Sequence, residues 1–364
     1  MANSINGNGR SKRLRFGCIG CGGIAPVNIM NASAAGIEIA AYADICIERA
    51  ESFLAKYGGR YATADWTTLI SDRDLDGVLI QTGERMHPEI VIAAAKAGKN
   101  IFVEKPIARN VEDAIAAEHA VLEAGVCCSV GFAFRMAPAV ERAARMLPNP
   151  WITVAQCSDA ISEQAPHILD LILHVLHKAR LVAVYAVGGR AYDLDPHLPV
   201  DSFVATMSFD DGSQASYVQH GKAYNALMGK FSCQMFGRDR CVYLANRFKE
   251  CHLSTSLESP DFSTVFQGPD YWSSEPWAAF KDVRGPNGYT GHFRVWEDLA
   301  DAICNDRPAE ISISQARYVL QVEHAIFESI ATGQTVDTSG YGRDACEDPA
   351  ERMRVEPRNE ISFA

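Results

Sequence analysis

Three small groups of residues have types and spacing that could do chemistry, and the first lies close behind the N-terminus. Gly17-Cys18-Ile19-Gly20-Cys21-Gly22-Gly23-Ile24-Ala25 contains Gly20-x-Gly22-x-x-Ala25, the fingerprint of a dinucleotide-binding βαβ unit. Leu14-Arg15-Phe16 starts a buried strand before it, and Pro26-Val27-Asn28-Ile29-Met30 continues as a helix. Gly20 permits the tight turn, Gly22 lets the backbone approach a pyrophosphate, and Ala25 keeps helix and strand close. Cys21, Gly23 and Ile24 complete the turn, at a helix N-terminus whose N–H groups suit an anion. The second group is Asp44, directly after the strand Ile37 to Ala43, where a carboxylate accepts from adenosine ribose hydroxyls. A 2′-phosphate would be repelled there, and Ile45 and Cys46 bring no positive charge, so NAD is favoured over NADP. The competing reading of Asp44 is a surface cap of the helix that begins near Glu48. The third group is Glu104-Lys105-Pro106, at the carboxyl end of the strand Asn100 to Val103. A lysine there points to where ligands bind in an open parallel sheet, and its charge would stabilise a developing alkoxide. Pairing with Glu104 or a surface acid is the other use such a lysine could have.

Positioning these groups requires alternating strands and helices. Glu48 to Tyr57 reads as a helix stopped at Gly58-Gly59, Asp76 to Gln81 as a strand, and Pro88 to Ala97 as a helix ended by Gly98. Asn110 caps a helix over Val111 to Ala124, closed at Gly125, and Cys128 to Gly131 begins one more strand. The second half changes character, with strands over Trp151 to Cys157, Leu181 to Gly188, Asp201 to Phe209 and Gln214 to His220. Asp210-Asp211-Gly212 makes a hairpin turn, and Phe231 to Phe236 and Cys241 to Leu244 extend an antiparallel sheet. Two helices follow, Phe293 to Asn305 and Ser314 to Thr332, the former with an apolar stripe at Val295, Leu299, Ala302 and Ile303. The fold class is therefore α/β: an N-terminal Rossmann-type parallel sheet, then an α+β domain on a large, mostly antiparallel open sheet. The expected division is a disordered leader over 1–12, the NAD-binding domain over 13–130, a substrate and oligomerisation domain over 131–337, and a tail over 338–364.

Composition narrows the class further. The 364 residues suffice for two cores, being 48% hydrophobic, and a formal net charge of −11 speaks against nucleic acid or an anionic membrane as partner. No run of about eighteen apolar residues suggests a membrane span. Eleven cysteines, an odd number mostly inside apolar segments, suit a reducing cytoplasm better than a disulfide framework. Cys18-x-x-Cys21 could suggest redox or zinc chemistry, but no second pair stands at zinc spacing, and adjacent Cys127 and Cys128 read as strand filling.

Together the Gly20 to Ala25 turn, the stretch Ala97-Gly98-Lys99-Asn100-Ile101-Phe102-Val103-Glu104-Lys105-Pro106 and the domain order resemble the Gfo/Idh/MocA family. This is the glucose–fructose oxidoreductase and inositol dehydrogenase group, and the resemblance runs from about Arg13 to about Asp337. It implies that Lys105 reaches the substrate hydroxyl and the nicotinamide, with Glu104 beside it. The family also carries Asp-x-(Gly/Ala)-x-His-x-x-Asp at the start of a helix, for which two registers compete here. One uses Asp170 and His174 with His177; the other reads Glu163-Gln164-Ala165-Pro166-His167-Ile168-Leu169-Asp170 and keeps more of the pattern. In the second, His167 is the candidate general base, Glu163 replaces an Asp and orients it or binds a hydroxyl, and Asp170 is a substrate contact. A core histidine is the alternative for His167. His167, Asp170, His174 and His177 share one helical face, which could also be a metal face; His174 and His177 read rather as surface or interface residues.

Smaller carry-overs follow from the resemblance. In Gln81-Thr82-Gly83-Glu84-Arg85-Met86-His87, Thr82 and His87 match a family loop lining the cofactor, whereas Gly83 and Glu84 depart from it. Phe132-Ala133-Phe134-Arg135 resembles a junction that would place Arg135 at the substrate, and His292 is a further substrate-side candidate. The resemblance implies an NAD-dependent dehydrogenase acting on a secondary alcohol of a sugar, cyclitol or glycoside, in a homodimer or homotetramer formed through the C-terminal sheet. The alternatives are a redox-neutral enzyme that oxidises a sugar transiently over tightly bound NAD, and a non-catalytic NAD-binding regulator. Substrate choice is expected in the loops Arg190 to Val200 and Glu258 to Asn287, whose Tyr271, Trp272, Trp277 and Phe280 could stack on a sugar.

Overall fold

Strands of three to six residues, alternating with helices, build a six-stranded parallel sheet in the computed structural model. The structure describes residues 4–5, 11–194, 196–221, 229–255, 262–267 and 290–342. The described chain forms two compact units: Met1–Met136 with Asp270–Arg317, and Ala137–Pro269 with Tyr318–Ala364. Within the expected leader, β1 (Ser4–Ile5) and β2 (Ser11–Lys12) pair as a short antiparallel ladder.

In the first unit the chain runs through β3 (Arg15–Ile19), α1 (Ala25–Ala34), β4 (Glu38–Ala43), α2 (Ile47–Tyr57), β5 (Tyr61–Thr63) and α3 (Thr67–Ser71). It continues as β6 (Gly77–Ile80), α4 (His87–Lys96), β7 (Asn100–Val103), α5 (Val111–Ala124) and β8 (Cys128–Val130). The strand order is β5-β4-β3-β6-β7-β8, so the chain reverses direction across the sheet between β3 and β6. That switch point lies at the carboxyl ends of β3 and β6, where an open α/β sheet binds its ligand. Local chemistry sets the helix ends. Asn110 accepts from the Asp113 N–H at 2.7 Å to cap α5, and Gly125 closes it in the left-handed conformation. Buried Lys99 donates to the Asp72 and Leu75 carbonyls at 2.6 and 2.7 Å, tying the entry of β7 to that of β6.

The boundary differs from the sequence expectation. The helix read as part of the second domain, α8 (His292–Cys304), belongs to the first unit. Trp296 is fully buried, stacks on Phe102 of β7 at 4.3 Å and meets Phe16 of β3 edge-on at 6.0 Å. The helix thereby helps to bury Phe102 and Phe16.

The second unit is built from α6 (Pro138–Met146), β9 (Ile152–Ser158), α7 (Ile161–Asp170), β10 (Leu181–Gly189), β11 (Ser202–Phe209), β12 (Gln214–His220) and β13 (Phe231–Phe236). It is completed by β14 (Cys241–Ala245), β15 (Glu250–Ser254), β16 (Phe262–Gln267), most of α9 (Ile313–Thr332) and β17 (Val336–Asp337). Its nine strands run in the order β16-β15-β14-β13-β9-β12-β11-β10-β17, antiparallel except for the parallel pair β9 and β12. One face is covered: α7 packs on β9, and Ser329 of α9 accepts from the Ala186 N–H of β10 at 2.9 Å. The other face keeps Ile152, Val154, Tyr185, Val187, Val204 and Phe236 exposed, all on alternating positions of their strands.

Candidate functional site

The glycine turn joins β3 to α1. Gly20 has φ +95°, and a Cβ there would lie 2.7 Å from the Gln81 carbonyl oxygen, so only glycine fits. Gly22 and Gly23 face open space, with no heavy atom within 4 Å of an added Cβ. Helix α1 starts with no side-chain cap and no acidic residue in its first turn, leaving its positive end to a ligand. These features fit a bound pyrophosphate. Asp44 holds the turn from the next strand: its carboxylate accepts from the Cys21 N–H at 2.8 Å and from the Cys46 N–H at 2.9 Å. Each oxygen keeps a lone pair for a ribose hydroxyl. Arg49, five residues on and near the start of α2, lies 3.9 Å from this carboxylate.

Across the switch point, β7 delivers Glu104 and Lys105. Glu104 is buried, and burial raises its carboxyl above the ordinary range, against Lys105's charge and a hydrogen bond from Asn28. Gly131 makes room for it, since a Cβ there would lie 2.8 Å from Glu104 Oε2. His87 turns out to be buried, with Nδ1 2.8 Å from the Pro106 carbonyl and Nε2 3.0 Å from that of Thr82. Both ring nitrogens face backbone carbonyls, and the neutral ring donates to one of them, so His87 braces the loop against the Lys105 segment. Burial lowers its pKa, and Lys105's charge adds to this. Thr82 stays partly exposed on the same loop, where Glu84, the departure from the family pattern, forms an ion pair with Arg109.

Two substrate-side expectations in the first unit resolve differently. Arg135 is buried and donates to Gln315 Oε1 at 2.5 Å and to the Glu310 carbonyl at 3.3 Å. These bonds tie Arg135 to the start of α9. His292 keeps partial exposure, with Nδ1 2.7 Å from Thr290 Oγ1. Its pKa is pushed down to about 4, by burial first and then by the charge of Lys105.

In the second unit α7 carries the other candidates. Glu163 in its first turn is exposed, His167 one turn later is half-buried, and Asp170 is buried. Asp170, the expected substrate contact, is buried at the end of the helix. After Asp170 the helix widens into a π turn over Leu171–Leu176, and His177 follows it. The single helical face expected for four polar residues is therefore broken at its third member, because the wider turn changes the angular step. His177 is a core residue, not a surface one: its ring nitrogens lie 3.0 Å from Ser213 Oγ and 2.9 Å from Thr153 Oγ1, and it stacks on Phe209. Burial brings its pKa to about 4. His174 makes an edge contact with Tyr318.

Cys18 and Cys21 are both buried, and burial, with Cys21 beside it, pushes the Cys18 thiol well above its ordinary value. Such a thiol is a poor nucleophile. Among the described residues no group of three or more His, Cys, Asp or Glu could hold a metal ion, and no helix is long and apolar enough to cross a membrane. Tyr271, Trp272, Trp277 and Phe280 lie outside the described residues. Sequence reasoning missed Asn28, Gln81 and Trp296, which pack polar groups behind Glu104. Their one local signal is a polar residue where the pattern demands an apolar one.

The turn, the acid after β4 and the lysine after β7 define a dinucleotide-binding α/β unit, joined in one chain to an open-sheet α+β unit. Residues 14–132 match the family model GFO_IDH_MocA, described as an oxidoreductase family with an NAD-binding Rossmann fold. The chain is 33% identical over 137 residues to scyllo-inositol 2-dehydrogenase (NAD(+)) of Bacillus subtilis, a match covering 37% of this chain and 40% of that one. With 1,5-anhydro-D-fructose reductase of Ensifer adhaerens it shares 30% over 217 residues, 59% of this chain and 62% of the relative. Both matches thus span less than two thirds of the relative's length. The fold is that of levoglucosan dehydrogenase in complex with NADH and levoglucosan, with a TM-score of 0.77, 23% identity, and 90% of this chain and 100% of that chain covered.

Proposed function

We propose that this protein is an NAD-dependent oxidoreductase that moves a hydride between the nicotinamide and a secondary alcohol or ketone of a sugar or cyclitol. The observation that carries this is the placement of Lys105 at the carboxyl end of β7, in the same parallel sheet as a glycine turn with open space over Gly22 and Gly23. The relatives named for inositol, anhydrofructose and levoglucosan chemistry support the substrate class. The bound dinucleotide would supply the hydride acceptor or donor. Lys105 would stabilise the alkoxide, and half-buried His167 would take the hydroxyl proton, since an imidazole is suited to that near neutral pH. Exposed Glu163 would bind a neighbouring hydroxyl. The test is NADH formation from NAD over a panel of sugars, inositols and anhydrosugars; absence of any signal from protein shown to bind NAD would overturn the reading.

Asp44 would select NAD by accepting from the adenosine ribose. Its two oxygens each hold one backbone N–H, so Asp44→Asn must turn an amide NH2 against one of those donors. A hydrogen bond to a charged group contributes about 1.5–3 kcal/mol. Asp44→Asn should therefore raise the NADH dissociation constant roughly ten- to hundred-fold. Fluorescence titration of NADH reads this directly, and an unchanged constant would remove Asp44 from the ribose site.

The outward sheet face would join copies of the chain. Val187 and Val204 lie opposite each other in the β10–β11 ladder, and Val204 faces Val218 of β12. Val187 is 53% exposed and Val204 43% exposed, beside Tyr185 and Val154. A contiguous apolar face of this kind marks an interaction surface. The double variant Val187→Lys, Val204→Lys should sediment as a monomer where the parent sediments as a dimer or tetramer. A parent that is monomeric at micromolar concentration would sink the proposal.

A further inference from the structure

Behind Glu104 lies a buried polar chain that the proposed chemistry has not used. Trp296 Nε1 of α8 donates to Asn28 Oδ1 of α1 at 3.3 Å. Asn28 Nδ2 donates to Glu104 Oε1 at 2.8 Å and to Gln81 Oε1 at 3.1 Å. Gln81 Nε2 in turn donates to the Gly20 carbonyl at 3.0 Å and to Cys18 Sγ at 3.1 Å. The orientation of the Asn28 amide follows from this set, because a flipped amide would face the indole N–H with its own NH2 and the carboxylate with its oxygen. Glu104's second oxygen faces the Lys105 N–H at 3.3 Å, with Gly131 leaving it space. The carboxylate is thus fixed on both sides, one of them by a residue 76 positions away in sequence.

We propose that Asn28 is a positioning residue: anchored by Trp296, it holds the Glu104 carboxyl group oriented beside Lys105, and through Gln81 links it to the dinucleotide turn. This rests on the oxidoreductase reading for its catalytic consequence, but not for its geometry. The bond matters because Glu104 is otherwise in a setting that disfavours charge. Burial raises its pKa, while Lys105's charge, the Asn28 bond and the Lys105 N–H lower it. The neighbouring titratable groups are Lys105 itself and the histidines that feel it, His87, which also faces Glu84, and His292. Removing the Asn28 donor takes away one of the few groups opposing burial, so Glu104 would bind a proton at higher pH and Lys105 would lose its adjacent negative charge.

Asn28→Leu keeps the branching at Cγ and removes both donors; Trp296→Phe keeps the ring stack and removes only the anchor. The test is the pH titration of the Glu104 carboxyl stretch by infrared difference spectroscopy on the full chain, with the band assigned by its loss in Glu104→Gln. Its midpoint should move to higher pH in Asn28→Leu and, by less, in Trp296→Phe. Turnover should fall by roughly tenfold or more while the NADH dissociation constant stays within about threefold. A midpoint that coincides with the parent's in folded variants overturns the proposal, even if turnover falls. If Asn28→Leu does not fold, the Trp296→Phe midpoint decides. The infrared result stands whether or not any polyol is turned over, so failure of the functional reading is told apart from failure of this one.

Discussion

Replacing Lys105 with alanine is expected to lower kcat/KM for any sugar or cyclitol substrate by about 10²–10³-fold, the usual loss on removing one group that stabilises a developing oxyanion. The dinucleotide turn lies on β3 and α1, so NADH should still bind, and the deficit should appear in kcat. The variant has a second signature. Lys105's charge opposes protonation of His292 and favours ionisation of Glu104. Its loss should raise both pKa values, which NMR titration of His292 and the carboxyl band of Glu104 would follow. Lys105→Arg should not restore activity: a guanidinium carries the charge but spreads it over a planar fork of different shape and reach. Turnover within threefold of the parent would remove Lys105 from the chemistry.

Trp296→Ala should be the most damaging single change to the first unit. The indole is fully buried, stacked on Phe102 and edge-on to Phe16, so truncation opens a cavity between β3 and β7. Phe and Trp truncations of this kind cost about 3–5 kcal/mol. The Asn28 oxygen also loses its donor. For a unit of this size the loss corresponds to a fall in Tm of roughly 6–20 °C, which calorimetry would read. Trp296→Phe, which loses the N–H and keeps most of the stack, should cost about 1–3 kcal/mol. A Tm for Trp296→Ala within a degree or two of the parent would mean that α8 does not hold the sheet.

The sequence by itself determined whatever short-range chemistry controls. Gly20 at a positive φ, Asn110 as a cap, Gly125 as a stop and the Asp44 position after β4 are each set by a few adjacent residues. The six strands of the first sheet were nearly all legible for the same reason, although β5, with only three residues and no fully buried position, left no apolar run to read. In the second unit the alternating strands β9 to β14 were readable, whereas β15 and β16 lack that pattern. Tertiary structure decided the rest. Whether a polar residue serves a ligand or the fold depends on what surrounds it: His87 went to two carbonyls, Arg135 to Gln315, and Asp170 and His177 to the interior. The return of α8 was equally hidden, since its apolar stripe says only that it covers a core. Which core is settled by Trp296 meeting Asn28, 268 residues earlier, and no local pattern encodes a partner at that distance. Periodicity and turn chemistry act over a few residues, whereas burial is a property of the assembled chain.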